Sequence, residues 1–191
     1  MADEPSLASR DRRVQRTRDG LLDALRALLM ESGYERLTIQ QILDRADVGR
    51  ATFYSHFESK DDLLRASLGR MRDGLAAAGR RRPGSALGFT LPLFQHLSSH
   101  RRLYQMVAVP EHEVTVEREM REIFRGLIQQ ALTPHHRPTE TETLAIQHVV
   151  GALWSTIVWW MESGSTMSAD EVNARFEALT LPGLRQLLNQ S

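Results

Sequence analysis

Between Leu37 and Lys60 the chain reads LTIQQILDRADVGRATFYSHFESK. Two short helices joined by a tight turn, with a third helix starting behind them, satisfy that pattern. Thr38 followed three residues later by Gln41 is a capping box, in which each side chain satisfies an N–H that the helix start leaves orphaned. Ile39, Ile42 and Leu43 add an apolar stripe at helical spacing, which stops at Ala46-Asp47-Val48-Gly49. A second helix begins at Arg50, with Phe53 and Phe57 four apart on one face. Arg50, Ala51, Thr52, Tyr54 and His56 fall largely outside that stripe. A helix with two buried anchors and an exposed row of Arg, Thr, Tyr and His suits the floor of a DNA major groove, which makes this a helix-turn-helix.

The window resembles the DNA-binding signature of the TetR family of bacterial transcriptional regulators. The match is carried by Leu37, Thr38, Ile39, Ile42, Ala46, Val48, Thr52, Phe53, Tyr54, His56, Phe57, Ser59 and Lys60. Two positions depart from the family pattern. Asp47 stands where the family usually has a turn Gly, and a left-handed residue is tolerable for Asp though less comfortable. Gly49 stands where the recognition helix is usually capped by Ser or Thr, which removes one hydroxyl. The resemblance implies that Thr38, Arg50, Ala51, Thr52, Tyr54, His56 and Lys60 face DNA. Thr52 and Tyr54 are expected closest, Arg50 as the reader of guanine, Thr38 and His56 on phosphates. His56 is equally well explained as a helix-end histidine. Of the 24 basic residues all but Lys60 are Arg. Lys60 follows Ser59, the expected cap of the next helix with Asp62, where a positive dipole end favours a phosphate.

Composition narrows the remainder. With no Cys among 191 residues, disulfides, thiolate catalysis and thiolate metal sites are excluded. The formal charge is zero, so bulk electrostatics does not point to nucleic acid. Arg10, Arg12, Arg13, Arg16 and Arg18, offset only by Asp11, form a local basic cluster suited to a phosphate backbone beside the motif. No uninterrupted apolar run approaches the ~18 residues of a membrane span, and the start MADEPSLASRDRR has no signal-peptide core. A cytoplasmic protein with no membrane partner is expected.

The expected fold is all-α, about nine helices, with no internal repeat. Residues 1–9 read as a disordered arm, 10–57 as the helix-turn-helix domain, 58–79 as a connecting helix and 80–191 as a helical effector-binding and dimerisation domain. Helices are expected at about 10–31, 38–45, 50–56 and 60–79. Others follow within 87–100, around 103–109, at 114–132, 139–162 and 168–188, the last bent near Pro182-Gly183. Gly33 ends the first helix. Thr139 with Glu142 and Ser168 with Glu171 are further capping boxes.

The helix at 139–162 is apolar nearly all round in its second half, which calls for burial on all sides. With the last helix it is expected to form an intermolecular four-helix bundle through Val150, Trp154, Ile157, Val158, Phe176 and Leu179, the manner in which the resembled family dimerises. The family also implies a small-molecule effector among the central helices. Its candidate lining is Phe89, Phe94, His96, Leu97, Tyr104, Met106, Phe124, His148 and Trp154, suited to an apolar or aromatic molecule, with core packing as the plain alternative for the apolar ones.

His96 and His100 share a face at metal-ligand spacing, with His112, His135 or His148 as possible further ligands. No Glu follows His96, so the arrangement of a zinc peptidase is absent, and exposed helix-end histidines explain the pair better than a metal does. No cofactor is expected. An enzyme is not expected either: there is no phosphate-binding Gly loop or nucleophile elbow, and Glu111, His112 and Glu113 are adjacent and point apart. The sequence therefore reads as a homodimeric repressor that releases a palindromic double-stranded operator when a small effector binds. The alternatives are a protein-interaction module that has lost DNA reading, or a metal-responsive regulator.

Overall fold

A computed structural model describes residues 7–82, 84–101, 104 and 114–189. Among these residues there are eight α-helices and no strand. They are α1 (Leu7–Ser32), α2 (Ile39–Ala46), α3 (Arg50–Tyr54), α4 (Lys60–Arg80), α5 (Thr90–Ser99), α6 (Val114–Leu132), α7 (Glu140–Glu162) and α8 (Ala169–Leu188). The all-α expectation holds. The expected short segment at 103–109 and the residues Met106, Glu111, His112 and Glu113 lie outside the described residues. Contacts divide the chain into two compact units, one up to Ser67 and one from Leu68. The division falls inside α4, which sequence reading treats as a connecting helix.

In the first unit, local signals set the ends of the helices. Gly33 adopts a left-handed φ of 74° and its N–H donates to Leu29 O at 3.1 Å, closing α1. The Thr38–Gln41 capping box is complete in both directions. Asp47 ends α2 at φ 52°, ψ 49°, the left-handed conformation for which glycine is the usual choice. Leu21, Leu22 and Leu25 of α1, Ile42 of α2, Phe53 of α3 and Leu63 of α4 are all fully buried and form this unit's core. Phe57 closes it, its ring 6.0 Å from that of Phe53 and covered on the other side by the Arg18 guanidinium at 4.6 Å. α1 starts at Leu7, a turn earlier than the charged cluster suggests, since Leu7-Ala8-Ser9 carries no helix breaker. α3 ends two residues sooner than expected, at Tyr54.

In the second unit, α7 and α8 begin at their Thr139–Glu142 and Ser168–Glu171 boxes as read. Phe94 of α5 meets Trp160 of α7 and Phe176 of α8 edge-on, with centroids 5.7 and 6.2 Å apart. The buried Thr90 hydroxyl donates to Asn173 Oδ1 at 2.7 Å, so the polar pair inside this core is mutually satisfied. α5 is shorter than the expected 87–100 span because Leu87 to Phe89 form the turn that precedes it, with Thr90 N–H on Leu87 O. α8 runs through Pro182 to Leu188. By length and composition α7 is apolar enough to cross a membrane. Here that apolarity serves an inner face of nine buried residues, from Ala145 to Met161.

Asp47→Gly should relieve the left-handed strain and raise unfolding free energy by about 0.5–1 kcal/mol. Urea denaturation followed by far-UV circular dichroism reads the change. A lower midpoint would mean that the Asp47 side chain stabilises the turn.

Candidate nucleic-acid interface

α3 has five residues, and one of them anchors it. Phe53 is 0% exposed, whereas Arg50, Ala51 and Thr52 are exposed and Tyr54 is 51% exposed. The sequence-derived row therefore stands outward on a helix whose opposite side is fixed in the core. The Tyr54 ring rests edge-on against Phe53, with centroids 5.3 Å apart at 88°, so its outward pose is braced from below. Arg50 Nη2 donates to Gln40 Oε1 at 3.3 Å, and Gln40 Nε2 in turn donates to Asp44 at 2.8 Å. This chain ties the face of α3 to that of α2. Ser55 is also exposed and its hydroxyl donates to Thr52 O at 2.7 Å. Sequence reading missed Gln40 and Ser55. Gln40 was recoverable from its helix position, two residues past the α2 cap and off the apolar stripe.

The remaining expected contacts differ in setting. Thr38 is exposed, but its hydroxyl belongs to the α2 cap, accepting from Gln41 N and donating to Gln41 Oε1 at 2.9 Å. His56 is half-buried, with its ring beside Phe57. Lys60 is half-buried too. Its ammonium donates at 2.9 Å to both Tyr34 O and Leu37 O and lies 4.1 Å from the Tyr34 ring centre. Of the basic cluster, Arg12, Arg13 and Arg16 are exposed, Arg18 covers Phe57, and the Arg10 side chain lies outside the described part. Arg45 of α2 pairs with both oxygens of Glu31 at 2.8 and 2.9 Å, which binds α2 to the end of α1.

The candidate effector residues of the second unit do not gather around one space. Phe89, Phe94, Leu97, Phe124 and Trp154 are buried in the unit's own core, with Phe124 against Trp154 and Arg121 over the Trp154 ring at 5.4 Å. Phe89 alone among them lines a hollow of about 330 Å³, with Ala76, Gly79, Arg80, Leu127 and Gln130. His148 is exposed and lines a separate hollow of about 500 Å³ with Leu144, Leu179, Gly183 and Leu187. The residues expected at a subunit interface divide in the same way. Val150, Trp154, Ile157 and Phe176 are buried within the chain, Val158 is half-buried, and Leu179 stands out. Helical periodicity shows that a helix has two faces, but which one turns inward depends on neighbours distant in sequence.

His96 Nε2 lies 3.1 Å from the Tyr104 hydroxyl, which donates to Met71 Sδ at 3.3 Å, and the His96 and His100 rings lie 4.5 Å apart, tilted by 36°. His100 Nδ1 is held 3.0 Å from His96 O. His136 pairs with Glu142, and among the described residues no cluster of three or more His, Asp or Glu side chains is placed to hold a metal.

Burial, then the neighbouring His100, holds the His96 imidazole below its usual 6.5. Its folded pKa lies below its unfolded one, so acidification protonates the unfolded state first and stability falls as pH drops below about 6.5. The cap carboxylates Glu142 and Glu171, held below 4.5 chiefly by the Thr139 and Ser168 backbone N–H groups, lose their contribution only at lower pH. Thermal unfolding between pH 7.5 and 5.5 should show a decline that His96→Gln flattens. An equal decline in both proteins would remove His96 as its source.

Residues 21–67 match the family described as bacterial regulatory proteins of the tetR type, and residues 85–181 match a transcriptional regulator C-terminal region. The chain belongs to the TetR family. It is a DNA-binding transcriptional regulator. The repressor KstR of Rhodococcus jostii is 29% identical over 96% of this chain and 91% of its own. The regulator TcmR of Streptomyces glaucescens is 34% identical over 39% of this chain and 33% of its own. A TetR regulator from Streptococcus agalactiae superposes on this TetR chain with a TM-score of 0.68 at 21% identity, covering 90% of this chain and 97% of that one. NalD of Pseudomonas aeruginosa, a repressor of a multidrug efflux pump, superposes at 0.62 and 20% identity over 88% and 95% of the two chains. These two likenesses establish the fold.

Proposed function

We propose that this protein is a homodimeric repressor that holds a palindromic operator through α3 and releases it when a small effector binds. The observation that carries the reading is the exposed Arg50-Ala51-Thr52-Tyr54 row over the fully buried Phe53. Such a row reads base edges, with Arg50 suited to guanine and Thr52 and Tyr54 to thymine methyls and phosphates. The names of KstR and NalD favour repression over activation. A regulator of a bacterial chromosome acts in the cytoplasm.

Dimerisation is supported by the outer face of α7 and α8. Leu179 is 86% exposed, Leu144 64% and Trp159 48%. Leu144, His148, Leu179, Gly183 and Leu187 border one hollow, and no Asp, Glu, Lys or Arg lines it. An exposed apolar patch of this kind marks a partner surface, and a two-fold axis through it pairs the patch with itself. Leu179 is then kept from the expected interface, and Leu144 and Trp159 join it as anchors in place of the buried Val150, Trp154, Ile157 and Phe176. The effector is proposed to be small and apolar or aromatic, in keeping with the Phe89, Leu127 and Ala76 lining of the 330 Å³ hollow. An effector acts only by preferring one of two conformations.

Selection of bound duplexes from genomic fragments, followed by a salt titration on the winner, tests the DNA reading. An enriched palindrome, with affinity falling by a log–log slope of about −0.9 per phosphate contact, is the expected result. No enrichment would remove the reading. Arg50→Ala should lower the preference for one base pair per half-site by about 1–3 kcal/mol. Leu179→Glu should give a monomer by sedimentation equilibrium with little change in melting temperature, since that side chain touches little of its own chain. A persistent dimer would move the interface elsewhere.

A further inference from the structure

Arg50 is the first residue of α3, and its cap, Gly49, has no side chain to lie beside it. The guanidinium is held instead from the neighbouring helix. Arg50 Nη2 donates to Gln40 Oε1 at 3.3 Å, and Gln40 Nε2 donates to Asp44 Oδ1 at 2.8 Å, one turn further along α2. All three residues are exposed. Arg45, next to Asp44 in the chain, is engaged with both oxygens of Glu31 at 2.8 and 2.9 Å. Among the described residues, Gln40 is the hydrogen-bond partner of both Asp44 and Arg50.

An amide has an acceptor end and a donor end, and the two charges beside Gln40 have opposite signs. The oxygen meets the guanidinium and the nitrogen meets the carboxylate. A flipped amide would set donor against donor and acceptor against acceptor, so Asp44 and Arg50 together fix one orientation. Arg50 thereby loses part of its rotamer freedom before any DNA arrives, while the second Nη2 proton and Nη1 stay open for a two-pronged bond to guanine O6 and N7. Gln40, engaged at both ends, is kept from turning its amide to adenine, the base that a Gln side chain pairs with in the same bidentate way.

For affinity alone, an exposed carboxylate so close to the guanidinium that meets DNA is badly placed, because it repels phosphates. Discrimination between bases gives it a use, since a site gains specificity by disfavouring the wrong partner as well as by holding the right one. We propose that Asp44, acting through Gln40, is a specificity-determining residue: it holds the Gln40 amide in the orientation that poses Arg50 for guanine and withholds that amide from adenine. Asp44 and Gln40 are then positioning residues of the recognition row. The proposal rests on the reading of Arg50 given above.

The test uses the full-length protein and the duplex recovered by selection. The base pair whose preference Arg50→Ala relaxes is taken as the Arg50 position and is presented as G·C or as A·T. A random-sequence duplex of the same length is the control. The wild-type protein is expected to prefer G·C there by at least about tenfold. Asp44→Ala should narrow that preference by about fivefold and Gln40→Met by about threefold. Asp44→Ala should also bind the random duplex about twofold more tightly, because one carboxylate fewer opposes the phosphates. The double variant should match Gln40→Met, since Asp44 acts through that amide. Melting temperatures close to the wild type are expected, both positions being exposed. A preference unchanged in Asp44→Ala would overturn the proposal, and if Gln40→Met alone narrowed it, Gln40 would be reading a base itself. An equal loss on every duplex would overturn it in favour of plain stabilisation of α2. A wild-type protein with no preferred duplex, or a preference that Arg50→Ala leaves intact, would sink the reading of Arg50 and the proposal with it, a result distinct from the others.

Discussion

A helix of five residues does not exist by itself, because nucleation costs more than so few hydrogen bonds return. α3 exists because Phe53 is fully buried, with the Phe57 ring 6.0 Å away. That single burial fixes which side of α3 faces outward. It also braces Tyr54 from beneath, through the edge-on ring contact. The role proposed for α3, reading base edges, demands a rigid presentation of very few side chains, and one aromatic anchor supplies it. The left-handed Asp47 and the extended Gly49 then need only turn the chain sharply between α2 and α3.

Around that anchor, polar links add to the apolar core of the first unit. Arg45 grips Glu31, Arg50 meets Gln40, and Lys60 holds the Tyr34 and Leu37 carbonyls. The first two links join successive helices and the third ties α4 back to the turn between α1 and α2, so the helices around α3 form a braced set. The second unit is built differently. Its inner faces lock through Phe94, Trp160 and Phe176 and the Thr90–Asn173 pair, while Leu144, Trp159 and Leu179 remain uncovered. One unit presents polar groups on a short anchored helix, the other presents apolar groups on two long ones, and the two surfaces suit different partners.

The legible parts of this fold are those governed by neighbours in sequence. Thr38, Thr139 and Ser168 announced their helices because a capping box lies within four residues. Asp47 was readable as left-handed, and the outward row of α3 followed from Phe53 and Phe57 being four apart. What sequence could not give was decided at long range. Val150, Ile157 and Phe176 are apolar like Leu144 and Leu179, and only tertiary packing sorts them into core and surface. Phe89, Phe94 and Phe124 looked like a pocket lining for the same reason. Lys60 shows the same limit: its bonds to the carbonyls of Tyr34 and Leu37, 26 and 23 residues earlier, could not be read from its place at a helix start.

The most direct measurement is amide chemical-shift mapping of the full-length protein as a selected duplex is added. The account expects the changes to centre on Gln40 and on Arg50 through Ser55, to extend weakly into the Tyr34–Leu37 turn, and to leave the outer face of α8 unmoved. Changes centred on α7 and α8, or none along α3, would contradict the claim that this exposed row meets DNA.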